Sequence, residues 1–206
     1  MRTTLLLLAV VFCSHSLGGG AEPVAVFEDP LKGKRSEGWH WLREHRGAWR
    51  QTAKGLEIRV EPGLADTVKN ALVRKAPDRS RGRYAVEVTV ESSAPPTQQY
   101  EQAGITWYQG VKPVFKLVHE RIDGKTYIIP GKKPTDTRRM QLRLVVSRDA
   151  YIAQFRPDAK GEFQTAASGE LPAGSEEKVS LQCYNGPPAA EHWFRFTEFR
   201  IIRLPE

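Results

Sequence analysis

The chain has 206 residues, 40% of them hydrophobic, with 31 Lys or Arg against 24 Asp or Glu, a formal net charge of +7 and two cysteines. That length suffices for one hydrophobic core and leaves little room for two. The basic residues fall in short clusters within turn-like segments, such as Arg79, Arg81 and Arg83, and not in a continuous run, which argues against a nucleic-acid footprint.

In chain order, residues 1–21 read as an export signal: Arg2 supplies the positive start, Leu5 to Phe12 the apolar run, and Gly19, Gly20 and Ala21 the small residues at a cleavage point. The apolar run is too short for a membrane span, which needs roughly 20 residues. The mature chain, residues 22–206, is expected to be a single exported domain, periplasmic or extracellular. Loss of Cys13 with the leader leaves Cys183 alone, so no intrachain disulfide is expected and stability must come from a core.

The stretch GWHWLREHRGAW, residues 38–49, concentrates three tryptophans, two histidines, two arginines and a glutamate. His40 and His45 have opposite parity on a strand and point to opposite faces, so they do not form a ligand pair. For Trp39, Trp41 and Trp49 core packing is favoured over ligand contact one by one, since large aromatics dominate burial in small cores. The stretch is expected to form an early strand and its turn, with Trp41, Arg43 or Glu44 at the rim of a groove.

From Leu56 onward apolar residues alternate with polar ones. LEIRV (56–60), YAVEVTVE (84–91), AGITWYQ (103–109), VFKLVHE (114–120), MQLRLVVS (140–147), YIAQF (151–155), KVSLQCY (178–184) and FRFTEFRII (194–202) each read as a half-buried strand. Between them, EPG, APD, SAPP, DGK, PGKKP, RPDAKG, LPAGS and NGPP carry the residues that make turns. The pattern predicts an all-β sandwich of two antiparallel sheets, of jelly-roll type, with almost no helix.

No nucleophile motif of the G-x-S-x-G kind and no phosphate-cradling glycine loop occurs after the leader, and Cys183, in an alternating strand, reads as a buried thiol. Asp29, Asp66, Asp123 and Asp149 stand singly in turns, whereas a calcium site gathers six to eight oxygens. No cofactor and no metal are expected. What remains is aromatic residues interleaved with polar ones in an exported β protein, the combination that stacks on a sugar ring and hydrogen-bonds its hydroxyls.

Several segments also resemble a known family. GWHWLREHRGAWR, GLEIRVEPG, KNALVRKAP, YEQAGITWYQ and VFKLVHERIDGK, followed by LRLVVSRDAYIAQFRPDAKGEF and VSLQCYNGPPAAEHWFRFTEFRI, are similar in order and spacing to the concanavalin A-like domain at the C-terminus of family 43 β-xylosidases and to its freestanding relatives of unknown function. The resemblance covers essentially the whole mature chain; Y-x-Q-A-G-I and K-L-x-x-E-R-x-x-G-K are its more specific elements. It implies a concanavalin A-like jelly roll with one concave face, lectin-like in use, and no catalytic set.

Strand parity then selects a candidate face. With Ala103, Ile105, Trp107, Phe115, Leu117, Leu142 and Leu144 inward, Gln102, Thr106, Tyr108, Lys116, Glu120 and Arg143 turn outward. Together with Trp41, Arg43, Glu44 and Asn70 from the neighbouring loops, these residues form the expected ligand set. The same row also reads as an ordinary solvated sheet face. The expected function is a noncatalytic carbohydrate-binding or cell-surface module taking a polysaccharide or oligosaccharide, with the basic charge pointing to an acidic one. The alternative is a glycoside hydrolase or lyase using Glu120 and Glu44, with Glu101 third; a pair of carboxyl groups about 5 to 9.5 Å apart is its requirement. A third reading is a protein-binding surface, which calls for a wide apolar patch.

Overall fold

The computed structural model describes residues 22–157 and 159–205; the expected leader, with Cys13, lies outside the described residues. In chain order the strands are β1 (Val24–Asp29), β2 (His40–Leu42), β3 (Trp49–Thr52), β4 (Gly55–Arg59), β5 (Ala71–Lys75), β6 (Tyr84–Ser92), β7 (Gln102–Gln109) and β8 (Lys112–Ile122). They continue as β9 (Lys125–Ile129), β10 (Lys133–Thr135), β11 (Arg139–Val146), β12 (Ala150–Arg156), β13 (Gln164–Glu170), β14 (Glu177–Tyr184) and β15 (Trp193–Arg203). Short 3-10 turns occur at Arg46–Ala48 and Arg79–Arg81.

Two antiparallel sheets result. One has eight strands, ordered β13-β12-β11-β6-β15-β4-β3 with β1 also on β15; the other has seven, ordered β10-β9-β8-β7-β14-β5-β2. The alternation explains the layering. Val86, Val88 and Val90 of β6 and Leu142 and Leu144 of β11 are buried inward from the first sheet, and Ala103, Ile105 and Trp107 of β7 and Leu117 of β8 meet them from the second. Phe115 is half-buried against the same core, with its ring centre 4.3 Å from that of Tyr151. Cys183 is a buried free thiol whose pKa burial pushes up.

β15 departs from simple alternation. Phe194 and Phe196 point inward, the register shifts between Thr197 and Arg200 with Glu198 in the left-handed region at φ 58°, and Phe199 and Ile201 then take over the inward positions. A bulge of one extra residue resets the phase, so one strand keeps both of its apolar pairs in the core.

The residues of 38–49 join the end of this core. Trp39 packs edge-on against Phe199 at 4.8 Å and donates its indole N–H to Asp29 at 3.0 Å. Trp41, opposite Leu72 on β5, stacks on Trp49 at 4.9 Å, and the Arg35 guanidinium lies 5.0 and 5.1 Å from their ring centres.

Gly104 sits where β7 crosses the core. A Cβ there would run into the Leu117 carbonyl oxygen and lie 2.9 Å from both Leu142 Cδ1 and Val118 Cα. Gly104→Ala is therefore expected to destabilise the fold by about 1–3 kcal/mol, read as a lower midpoint in urea at unchanged slope.

Candidate functional site

The outer faces of the two sheets differ in chemistry. That of the eight-stranded sheet is a lattice of ion pairs: Glu87, 1% exposed, accepts from Arg143 and Arg200 at 2.6 Å each, and Glu57 accepts from Arg50 at 2.5 Å and Arg195 at 2.7 Å. Such paired charges on a sheet surface satisfy one another.

The seven-stranded sheet carries a different row. Register sets Tyr184 of β14 beside Gln102 of β7, Gln102 beside Glu120 of β8, and Glu120 beside Tyr127 of β9. Two rows along, past Gln182, Gly104 and Val118, the residues Ser180, Thr106 and Lys116 are neighbours in the same way. Lys116 Nζ donates to Gln102 Oε1 at 2.7 Å and to Glu120 Oε2 at 3.0 Å, while Gln102 Nε2 donates to Glu120 Oε1 at 3.1 Å and to the Tyr100 carbonyl at 2.8 Å. The three side chains are locked in one orientation. Next to them, Thr106 Oγ1 and Gln182 Nε2 are buried without a hydrogen-bond partner, a cost of about 1–3 kcal/mol for each such group unless water or a ligand meets it.

Tyr108 belongs to the same face but not to its accessible part. It is fully buried, and its hydroxyl donates to Gln182 Oε1 at 2.9 Å and lies 3.1 Å from the Ala65 carbonyl, beneath the 62–69 loop. Burial raises the phenol pKa, and the nearby Arg43 guanidinium and the Gln182 hydrogen bond oppose that rise. Tyr184 is likewise 4% exposed, and burial, then Glu120 and Tyr108, push its pKa up.

The expected ligand set is thus divided. Gln102, Lys116 and Glu120 are hydrogen-bonded together, with Gln102 and Glu120 buried and Lys116 partly exposed, and the buried Thr106 is the cross-strand neighbour of Lys116. Tyr108 supplies a buried support, not a stacking platform. Arg43, exposed and at φ 53°, approaches Tyr108 and donates to the Val68 carbonyl at 2.6 Å.

Asn70 is fully buried as a clasp: Oδ1 accepts from the His45 amide at 2.7 Å, Nδ2 donates to the His45 carbonyl at 3.1 Å, and its own amide donates to Arg43 O at 3.1 Å. Trp41 faces the space between the sheets and not the groove, because its neighbour Leu72 points inward. Arg143 is on the other sheet, paired with Glu87, so its place in the row is corrected.

Glu44 accepts from the Trp49 indole at 3.2 Å and lies 3.7 Å from Arg46, whereas Glu120 is held by Lys116 and Gln102. Glu101, of opposite parity to Gln102, is fully buried; it meets His192 Nδ1 at 2.7 Å and accepts from the Thr97 and Gln98 amides. His45 contacts Glu61 at 2.8 Å, whereas His40 lies opposite Val73.

Sequence reasoning missed Tyr184, Gln182 and Tyr127. KVSLQCY held the signal, since Val179, Leu181 and Cys183 inward force Ser180, Gln182 and Tyr184 outward by the parity already applied to β7.

No protein-family model matches the chain, and no curated protein does. Among solved structures it is similar to the GH43 BlXynB protein from Bacillus licheniformis, with TM-score 0.67 and 17% identity over 86% of this chain and 39% of that one. It is also similar to xylan beta-1,4-xylosidase from Bacillus halodurans C-125, with TM-score 0.57 and 13% identity over 90% and 40%. The chain has the fold of the part of each that it matches. A functionally unknown protein from Saccharomyces cerevisiae has it too, with TM-score 0.57 and 15% identity over 82% of this chain and 98% of that one. The concanavalin A-like sandwich expected from sequence is therefore the fold observed, and this chain spans about two fifths of the length of each of the two enzymes. Among the described residues no helix is long and apolar enough to cross a membrane.

Proposed function

We propose that the chain is an exported noncatalytic module that binds a polysaccharide or oligosaccharide across the outer face of the seven-stranded sheet. The observation that carries this reading is the locked trio Gln102, Lys116 and Glu120 beside the half-buried ring of Tyr127. A pyranose stacked on Tyr127 places its hydroxyls over fixed donors and acceptors, so little ordering entropy is lost on binding. The fold shared with sugar-active enzymes supports the same ligand class, and the leader-like residues 1–21 support export.

Calorimetric titration with xylotetraose tests the proposal. Tyr127→Ala and Lys116→Ala are each expected to weaken binding by about tenfold or more, as expected for loss of a stacked ring or a charged hydrogen bond. Arg143→Ala, on the other sheet, leaves the affinity unchanged. Full affinity in the first two variants, or its loss in the third, removes the face from consideration.

A further inference from the structure

At the β5–β14 end of the sandwich lies a cavity of about 670 Å³, within the size range of small-ligand sites. Its walls come from His40 on β2, Lys75 at the end of β5 and the 76–80 segment after it, Arg148 in the β11–β12 turn, Ala173, Gly174 and Glu176 before β14, and Glu177 and Lys178 within it. Ala76, Pro77, Ala173 and Gly174 make part of the lining apolar.

The charges around it are unequally used. Arg79 neutralises Glu177 through two hydrogen bonds, and Asp78 accepts from Ser80 and pairs with Arg81 at 3.0 Å. Lys178 is tied to the Gly110 carbonyl at 3.0 Å and keeps its charge. Lys75 and Arg148 are exposed, and neither side chain has a hydrogen bond or ion pair among the described residues; the Glu176 carboxylate is in the same condition. Free positive charge therefore exceeds free negative charge at this mouth.

Register aligns His40, Val73, Ser180, Thr106 and Lys116 across β2, β5, β14, β7 and β8, so roughly 19 Å separates the Lys116 strand from the cavity rim at about 4.8 Å per strand. We propose that this cavity is a subsite for an acidic sugar unit, in which Lys75 and Arg148 meet the carboxylate of a uronic acid while Glu176 and His40 meet hydroxyls. The inference rests on the glycan reading but not on the tyrosine row. The net charge of +7 supplies attraction toward such a polymer at long range.

The test compares tetragalacturonate with xylotetraose by calorimetry, on the wild type and on the Lys75→Ala, Arg148→Ala double variant, with thermal unfolding to confirm that the variant folds. The wild type is expected to bind tetragalacturonate at least tenfold more tightly, with the advantage shrinking as salt rises. The double variant loses that preference and keeps its affinity for xylotetraose. Equal affinity of the wild type for both sugars, binding of neither, or a preference that survives in the double variant overturns the subsite. Tyr127→Ala separates the two proposals: if it changes neither affinity while the double variant loses the preference, the sheet face fails and the cavity stands.

Discussion

Arg79→Ala should lower the unfolding midpoint by on the order of 10 °C, the loss expected when one partner of a buried ion pair worth about 3–5 kcal/mol is removed from a domain of this size. Arg79 is 3% exposed. Its Nε donates to Glu177 Oε2 at 2.9 Å and its Nη2 to Glu177 Oε1, while Nη1 donates to the carbonyls of Ser147 at 3.0 Å and Leu171 at 2.6 Å, and Nη2 also to that of Pro172 at 3.2 Å. The guanidinium also lies 5.3 Å from the ring centre of Trp107 in the core. One side chain thus ties the β5–β6 connection to the β11–β12 turn and to the segment leading into β14. Alanine leaves a carboxylate and three carbonyls without their donor. Arg79→Lys restores the charge but not the fork, so it should recover only a minor part of the loss in a calorimetric scan. A midpoint within about 2 °C of wild type for the alanine variant contradicts this account.

The second large effect is a dependence on acid. His119 of β8 is 1% exposed, faces the core opposite Ile128, and has a buried Nε2 with no partner. Burial lowers its pKa from 6.5 to about 4. An unfolded chain takes up a proton at this position below pH 6.5, whereas the folded chain refuses it until about pH 4. The stabilisation from a neutral His119 is fully present above pH 6.5 and is lost as pH falls to about 4, a change on the order of 3 kcal/mol. Urea titrations at several pH values should show this decline in wild type and a flatter profile in His119→Leu. Equal slopes in both proteins rule out His119 as its source.

The layers were legible because period-two alternation is a direct record of which side chains face the core. It assigned Ala103, Ile105, Trp107, Leu117, Leu142 and Leu144 correctly. Parity separates inward from outward but does not say which of two sheets a strand joins. For that reason Arg143, outward on β11, was grouped with Gln102 and Lys116, although the pairing of β11 with β6 and β12 carries it to the opposite surface.

Exposure was harder still. Tyr108 is outward on β7 as expected, yet the 62–69 loop brings the Ala65 carbonyl to its hydroxyl, and no local pattern in GLADTVK announces that contact. Trp41 lies on a strand of three residues, too short for alternation to be read. Asn70 and Glu44 owe their roles to neighbours distant or irregular in conformation: a left-handed turn at Asn70 for the one and the Trp49 indole for the other.

The central claim is that the outer face of the seven-stranded sheet meets the ligand. Amide-resolved NMR of the isotopically labelled protein during titration with xylotetraose addresses it most directly. Shifts concentrated at Gln102, Glu120, Tyr127 and Tyr184, with Glu87, Arg143 and Arg200 undisturbed, are the predicted result. Shifts confined to those three residues and their neighbours on the eight-stranded sheet, or no shifts at millimolar sugar, contradict it.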